Sequence, residues 1–166
     1  MMVASETIIT VRLFGVVFNN IQQVLLRKEE SGGYGLPGGA MEFSHFTAKE
    51  GPKGVPEQHY AIFSCLSQRL KEKTGLELHS LPKPPVLLPA GVSHEPDERG
   101  VVAQMNYAVP IFMTGGHFVR TPEFLEKLSK GELMFIHGRK IAEIKIISPM
   151  MEILIRQTLD FCNVFQ

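Results

Sequence analysis

A glycine-dense segment in the first third of the chain, SGGYGLPGGAMEF over residues 31–43, constrains the fold more than any other feature. Part of it, GYGLPG from Gly33 to Gly38, matches the pattern G-x-G-x-x-G. In a dinucleotide-binding fold that pattern must open a helix, whose N-terminus meets the pyrophosphate. Here Pro37 interrupts the pattern, and the Gly-Pro pair at residues 51–52 prevents a long helix directly after it. The segment therefore predicts a loop around a short extended piece and argues against a dinucleotide-binding domain.

Strand patterns precede and follow this loop. Runs rich in β-branched and aromatic residues predict a strand over Thr7–Phe18, a second strand over residues 22–29 after an Asn-Asn turn, and a later strand over Val101–Met113. Shorter strands are predicted over residues 76–81 and 140–147, whereas the polar sequence SHEPDERG at residues 93–100 predicts a turn. Pro110 indicates a bulge or an edge position within the long later strand.

Three helices are predicted between these strands. The best-defined one runs from Pro56 to Gly75, because apolar residues repeat at helical spacing and the glycine supplies the stop. A short helix is capped by Thr121 and a terminal helix by Ser148, each followed by proline in the first turn. Such a mixture of strands and helices is typical of an α/β or α+β sandwich, in which helices cover a mixed sheet.

Composition excludes several classes of protein. The 166 residues fit one domain, and 17 basic residues balance 17 acidic ones, so no net charge attracts the molecule to nucleic acid or to an anionic membrane. The two cysteines, Cys65 and Cys162, lie far apart, which argues against a disulfide scaffold or a cysteine zinc site. Neither a signal peptide nor a membrane-length apolar run is evident, so we expect a cytoplasmic protein.

Two motifs at the ends of the central region resemble the Nudix family. Its box is G-x5-E-x7-R-E-U-x-E-E-x-G-U, where U is aliphatic, and an aromatic residue with Leu-Pro-Gly-Gly commonly precedes it. Here YGLPGG (Tyr34–Gly39) matches the lead-in, and LKEKTGL (Leu70–Leu76) matches the end of the box. The order of strands and the terminal helix also fit, so the resemblance covers most of the chain. It implies one Nudix-like domain over residues 1–166, an α/β/α sandwich with a mixed sheet between helices.

The box itself is degenerate. Aligned on its final glycine, the box arginine falls on Gln68, and the three helix acids fall on Arg69, Glu72 and Lys73. The earlier box glutamate falls on His45, and the box is longer than the pattern allows, which indicates a loop insertion over residues 44–58. Two cations in place of two acids change the formal charge of that helix face from −3 to +1. Such a face repels Mg²⁺, which prefers carboxylate and water ligands.

The resemblance nevertheless implies a set of site residues. A helical wheel places Arg69 and Lys73 at the edge of the apolar stripe, with Glu72 just beyond them. We predict Glu72 as the catalytic residue and a metal ligand, and Glu42 as a further metal ligand. Arg69 and Lys73, with Gly38 and Gly39, are predicted to contact phosphate. The ordinary alternative is that Glu72 pairs with Arg69 three residues earlier and that the border charges extend into water.

Two functions remain open at this point. The first is a divergent hydrolase of a nucleoside-diphosphate-type phosphoanhydride, in which Mg²⁺ or Mn²⁺ activates water. Other acids that could complete its metal site are most simply solvated loop or cap residues: Glu50, Glu57, Glu95, Asp97 and Glu98. The second is a non-catalytic module that needs no metal and binds a nucleotide, a phosphate or a protein partner. We expect a nucleotide-like small molecule as partner, no nucleic acid and no membrane, and the resemblance leaves a homodimer open.

Overall fold

The computed structural model describes residues 7–97 and 100–163. Its strands, in chain order, are β1 (Thr7–Phe18), β2 (Val24–Lys28), β3 (Tyr34–Gly35), β4 (Gly38–Ala40), β5 (Glu77–Leu78), β6 (Leu88–Asp97), β7 (Gly100–Phe112), β8 (Phe118–Val119) and β9 (Leu133–Ile136). Its α-helices are α1 (Phe43–Phe46), α2 (Tyr60–Thr74), α3 (Pro122–Ser129) and α4 (Pro149–Phe161). Among these residues, no helix combines the length and the apolar character that a membrane crossing requires.

A mixed sheet forms the centre of the fold. Within the described residues it has seven strands, and its main path runs β3-β2-β1-β7-β6. The long strands β1 and β7 are parallel over their whole length, whereas β2, β4 and β6 run antiparallel to their neighbours. β4 pairs with β1 and β9 pairs with β2. The small pair β5-β8 forms a separate two-stranded sheet.

Alternation along β1 sends side chains to two separate cores. Phe14, Val16 and Phe18 join one cluster, which includes Leu154 and Ile155 of α4. Leu13 and Val17 join the other cluster, with residues of α2 and α3. Because successive strand residues point to opposite faces, helices cover the sheet on both sides. The predicted α/β/α sandwich with a mixed sheet is therefore confirmed.

The predicted helix ends agree with the structure. Gly75 has φ of 79° and its N–H donates to the carbonyl of Lys71, as expected of a glycine that ends a helix. The hydroxyls of Thr121 and Ser148 accept hydrogen bonds from the N–H groups of Phe124 and Met151. These caps fix where α3 and α4 begin.

Two local predictions are wrong. Residues 93–97 belong to β6 and pair with β7, and β6 tolerates its prolines because it is an edge strand. Residues 138–143 form a 3₁₀ helix, and among the described residues the strand character after it is limited to a single bridge between Tyr34 and Ile146. Ile141 is buried and Ile144 packs on the same cluster, and this spacing of three fits a 3₁₀ turn better than a strand.

The segment predicted as a loop insertion, residues 44–58, is only partly irregular. It contains most of the one-turn helix α1 and the start of a 3₁₀ turn over Glu57–His59. The predicted start of the long helix at Pro56 is therefore the cap of that 3₁₀ turn, and α2 itself begins at Tyr60.

Candidate functional site

Helix α2 and strand β4 form the frame of the site. In the apolar stripe of α2, Leu66 and Leu70 are fully buried, whereas Ile62 and Phe63 are partly buried against the same core. A β-carbon on Gly15 of β1 would lie 3.2 Å from Leu70 Cδ2, so the glycine allows the helix to pack closely on the strand. Thr74 closes the helix, because its hydroxyl donates to the Leu70 carbonyl and accepts from the N–H of Leu76.

The Gly-Gly pair has a steric role in this frame. Gly38 pairs with Phe14 and Gly39 with Leu13 in the register of β4 against β1. A β-carbon on Gly38 would overlap the carbonyl oxygen of Leu13 and lie 2.6 Å from Phe14 Cα. One on Gly39 would lie 3.0 Å from Cδ and 3.1 Å from Nε of Arg69. The lack of a side chain at Gly38 therefore lets the β1 backbone pack closely. The lack of one at Gly39 leaves room for the side chain of Arg69.

Arg69 joins the box helix to the segment after β4. Its Nε and Nη2 donate to the carbonyl oxygen of Ala40 at 3.1 and 2.8 Å. Nη2 also donates to Oε1 of Glu42 at 3.1 Å, and Nη1 donates to Oε2 of Glu72 at 3.1 Å. The guanidinium side chain is only 14% exposed, whereas Glu42 and Glu72 are 59% and 43% exposed. One cation thus holds both predicted metal-ligand carboxylates and a backbone carbonyl.

A second series of hydrogen bonds connects the same two carboxylate residues through His45. The N–H of Glu42 donates to Nδ1 of His45 at 2.9 Å, which leaves the ring proton of the neutral histidine on Nε2. Nε2 contacts Oε1 of Gln68, and Nε2 of Gln68 donates to Oε1 of Glu72 at 2.8 Å. His45 is buried, at 1% exposure. With the bonds of Arg69 to Glu42 and Glu72, these bonds close a ring of hydrogen bonds through Glu42, His45, Gln68, Glu72 and Arg69.

The ring sets the charge state of the site. Hydrogen bonds from Gln68 and then from Arg69 lower the pKa of Glu72, so this carboxylate is ionised at neutral pH. Burial raises the pKa of the Cys65 thiol to about 11, although the charge of Arg69 acts in the opposite direction. The Cys65 sulfur lies 4.0 and 3.9 Å from the carbonyls of Gly39 and Ala40. The buried thiol is therefore protonated and acts as packing beside Arg69.

The carboxylates predicted as metal ligands are not arranged to hold a divalent metal ion. Among the described residues, no three His, Cys, Asp or Glu side chains converge as a metal site requires. Glu42 and Glu72 contact different nitrogens of the Arg69 guanidinium, which lies between them and which a shared metal ion would have to replace. Glu57 lies in the 3₁₀ turn before α2, outside this ring. The side chains of Glu95 and Asp97, and the whole of Glu98, lie outside what the structure describes.

A cavity of about 590 Å³ lies beside this ring. Of the described residues that line it, three are cationic, Arg12, Arg27 and Lys73, and one is acidic, Glu29. Gly38 and Gly39 also line it. Its apolar wall comprises Phe14, Leu36, Val102, Ile147 and Met151. The described part of the lining therefore combines three cations and one carboxylate with an apolar surface.

The cations of the cavity are held in defined positions. Arg12 donates from Nε to Oδ1 of Asn106 at 2.8 Å, and its guanidinium carbon lies 5.1 Å from the centre of the Phe14 ring. Nη1 of Arg27 donates to both carboxylate oxygens of Glu29, at 2.9 and 3.0 Å. These contacts hold two guanidinium groups in place on the wall of the cavity. Guanidinium groups fixed in this way can bind an anion inside a concave site.

The structure divides the predicted site residues into two groups. Lys73, Gly38 and Gly39 line the cavity, whereas Arg69 bonds with Glu42 and Glu72 in the adjacent ring. Sequence reasoning missed Arg12, Arg27 and Glu29. A signal for Arg12 was present, because a charged residue interrupts an apolar strand at the position that alternates with Thr10 and Phe14 on one face.

Comparisons with known proteins identify the fold. The sequence matches no protein-family model, and it is significantly similar to no curated protein. The structure is similar to that of NrtR from Shewanella oneidensis, with a TM-score of 0.53 and 16% identity over 92% of this chain and 63% of that one. NrtR in complex with a 27mer DNA gives a TM-score of 0.52 and 15% identity over 92% of this chain and 61% of that one.

The comparison with an isolated domain is more complete. The NUDIX domain of the same NrtR, in complex with ADP ribose, gives a TM-score of 0.50 and 15% identity over 95% of this chain and 89% of that one. The protein therefore has the Nudix fold, as its lead-in and helix-end motifs predicted.

Proposed function

We propose that the protein is a non-catalytic Nudix-fold protein that binds a nucleotide-like anion without a divalent metal. The main observation is the cavity of about 590 Å³ in which Arg12, Arg27 and Lys73 face an apolar wall beside β4. That volume lies in the range of about 300–1,000 Å³ found for small-molecule sites. The three side-chain cations would supply the charge that a metal supplies in a metal-dependent phosphate site.

The cations among the described lining residues favour an anionic ligand. Three cations and one carboxylate among the described lining residues leave a net charge of +2 (3 − 1). A pyrophosphate that links two organic groups is a dianion at neutral pH, and its organic groups could contact Phe14, Leu36 and Met151. The similar NUDIX domain of NrtR binds ADP ribose, a molecule of this chemical class. ADP-ribose is therefore the first ligand to test.

Hydrolysis has less support from the same geometry. Metal-assisted attack on phosphorus needs carboxylates that hold a divalent ion and a water. The two residues predicted from the sequence as metal ligands are Glu42 and Glu72. Both accept hydrogen bonds from Arg69. Lys73 adds a further positive charge that lowers the pKa of Glu72. The positive charges of Arg69 and Lys73 both lower the affinity of these carboxylates for a divalent metal ion.

A binding panel tests the proposal. Isothermal titration calorimetry in EDTA would measure the affinity for ADP-ribose, ADP, ATP, AMP and pyrophosphate. We expect at least one pyrophosphate ligand to bind, and K73M to weaken it about tenfold through loss of one charged contact. The matched control is K71M on the same helix, because Lys71 is 65% exposed and pairs with Glu77 outside the cavity. The absence of binding to every ligand would contradict the proposal.

A second candidate function is the divergent hydrolase. The observation that favours it is that the carboxylates of Glu42 and Glu72 each lie 3.1 Å from a nitrogen of the same guanidinium. Turnover of nucleoside diphosphate derivatives with Mg²⁺ or Mn²⁺, measured beside E72Q, separates the two functions. Metal-dependent turnover that E72Q abolishes would establish the hydrolase and exclude the non-catalytic proposal.

A further inference from the structure

The segment before helix α4, residues 144–147, forms a strap along one side of the cavity. The N–H of Tyr34 donates to the carbonyl of Lys145 at 2.8 Å, and the N–H of Ile147 donates to the carbonyl of Tyr34 at 3.0 Å. After Ile147 the strap continues into Ser148, the cap of α4. Ile147 is therefore held between its backbone bond to Tyr34 and the start of a helix.

Two glycines of the sequence GYGLPG leave room for Ile147. A β-carbon on Gly33 would lie 2.9 Å from Cγ2 of Ile147, and one on Gly35 would lie 2.9 Å from its Cδ1. Carbon atoms in ordinary contact are about 3.5–4.0 Å apart. Neither glycine has a φ in the left-handed region, so what matters at both positions is the space that the absent side chain leaves. The first two glycines of this motif therefore serve the packing of Ile147.

Ile147 differs from the other apolar residues of the cavity in its exposure. It is 37% exposed and lines the cavity. The other apolar residues of the described wall are no more than 6% exposed: Phe14, Leu36, Val102 and Met151. Because the hydrophobic effect scales with the apolar area removed from water, a ligand gains most by covering the residue that is still exposed. Of these five side chains, that residue is Ile147.

The side of the cavity beside Ile147 suits an uncharged group. A β-carbon on Gly35 would lie 3.3 Å from Cγ1 of Ile147 and 3.6 Å from Oε1 of Glu29, so these two side chains are neighbours. Glu29 is paired with Arg27, and the formal charges of the pair cancel. Lys73 lines the cavity from α2, which packs on β4 instead. An anion is therefore favoured towards Lys73, and an uncharged group towards Ile147.

We propose that Ile147 binds the organic group of the ligand and thereby makes the cavity specific for pyrophosphates that carry such a group. This inference rests on the proposed binding of a nucleotide-like anion in the same cavity. The phosphate groups lie towards Lys73, and the organic group covers Ile147 beside the pair of Arg27 and Glu29. Inorganic pyrophosphate lacks the group that Ile147 contacts, so it gains nothing from this side chain.

Calorimetry of the full chain at several temperatures tests the inference. The affinity and the heat-capacity change of binding are measured for ADP-ribose and ADP, and the affinity is measured for inorganic pyrophosphate. We expect I147A to bind the tighter of the two nucleotides about fivefold more weakly. The heat-capacity change should become less negative, because less apolar surface is buried on binding. The affinity for inorganic pyrophosphate should change by less than about twofold.

I153A is the matched control for this experiment. Ile153 is 50% exposed on α4 and is not among the described residues that line the cavity, so its loss should leave all three affinities unchanged. If I147A does not fold, I147T replaces it, because threonine keeps the β-branch beside Gly33 and lacks the Cδ1 atom. The same changes in nucleotide affinity and heat capacity are expected of I147T.

The outcomes separate this inference from the proposed function. Nucleotide binding that I147A leaves unchanged, or weakens no more than I153A does, would overturn the inference and leave binding in the cavity intact. Inorganic pyrophosphate that binds the natural protein as tightly as both nucleotides would have the same consequence. The absence of binding by all three ligands and by the rest of the panel would contradict the proposed function and this inference together.

Discussion

Nη2 of Arg69 lies 3.1 Å from Oε1 of Glu42, and this contact joins α2 to a residue 27 positions earlier in the chain. The same nitrogen lies 2.8 Å from the carbonyl oxygen of Ala40. The Arg69 side chain is only 14% exposed, so its two bonds to the Ala40 carbonyl are partly shielded from water and should contribute more than a surface ion pair does. Arg69 therefore has a structural role whatever ligand the protein binds.

Removing the guanidinium should destabilise the fold. R69M retains much of the apolar stem but removes both hydrogen bonds from Arg69 to the Ala40 carbonyl and the cation that Glu42 and Glu72 contact. We expect the free energy of unfolding to fall by about 1–3 kcal/mol, measured by urea denaturation. The control is R156M, which breaks an exposed pair with Glu152 on α4 and should cost less than about 0.5 kcal/mol. Equal losses in the two variants would contradict the structural role of Arg69.

Substitution of the two glycines of β4 should separate their steric roles. G38A forces a β-carbon onto the backbone of β1, so we expect a loss of roughly 3 kcal/mol or failure to fold. G39A presses on the Arg69 side chain, which can shift, so the expected loss is about 1 kcal/mol. Thermal unfolding of both variants measures the difference. If G39A were less stable than G38A, the contact of Gly38 with the β1 backbone would not be the more restrictive of the two.

Acid should weaken the ring through Glu72. Hydrogen bonds from Gln68 and Arg69 lower the pKa of Glu72 in the folded state relative to the unfolded state. The resulting stabilisation is complete above the unfolded pKa of about 4.3 and is lost as the pH falls through the lower folded value. We therefore expect the stability difference between the natural protein and E72Q to shrink on acidification below about pH 4. If the stability difference between the natural protein and E72Q instead grew as the pH fell, the lowered pKa of Glu72 would be contradicted.

Glu29 should limit the charge of the ligand. Its carboxylate lines the cavity and forms an ion pair with Arg27. The negative charge should repel additional phosphate groups, and the ion pair uses a hydrogen-bond donor of Arg27 that could otherwise bind the ligand. E29Q should raise the affinity for ATP more than that for ADP-ribose, because the more highly charged ligand gains more from removal of a negative charge. The matched control is E30Q, since Glu30 borders a different depression, beside Lys130. An unchanged ratio of the two affinities would exclude this role for Glu29.

Much of the fold follows from local patterns in the sequence. The stop at Gly75, the caps at Thr121 and Ser148 and the strand Thr7–Phe18 all depend on neighbouring residues, and all were predicted. The strand over residues 93–97 was missed because its polar, proline-containing sequence is stabilised by pairing with β7 and not by its own propensity. Edge strands of this kind depend on a partner that local sequence does not reveal.

The site was predictable to a smaller extent. The pair of Arg69 with Glu72 follows from helical spacing, and the structure confirms it at 3.1 Å. The contacts of Arg69 with Ala40 and Glu42 depend on how β4 packs against α2, which no local pattern specifies. The cationic cavity likewise arises where β1, β2 and α2 bring Arg12, Arg27 and Lys73 together.

The most direct test compares the affinity for the tightest-binding nucleotide of the panel in EDTA and in excess Mg²⁺, by calorimetry on the natural protein. If side-chain cations of the cavity replace the metal, the two dissociation constants should agree, and ³¹P NMR of the recovered ligand should show it intact. Binding that appears only with Mg²⁺, or a ligand cleaved in its presence, would contradict metal-free binding by a non-catalytic Nudix-fold protein.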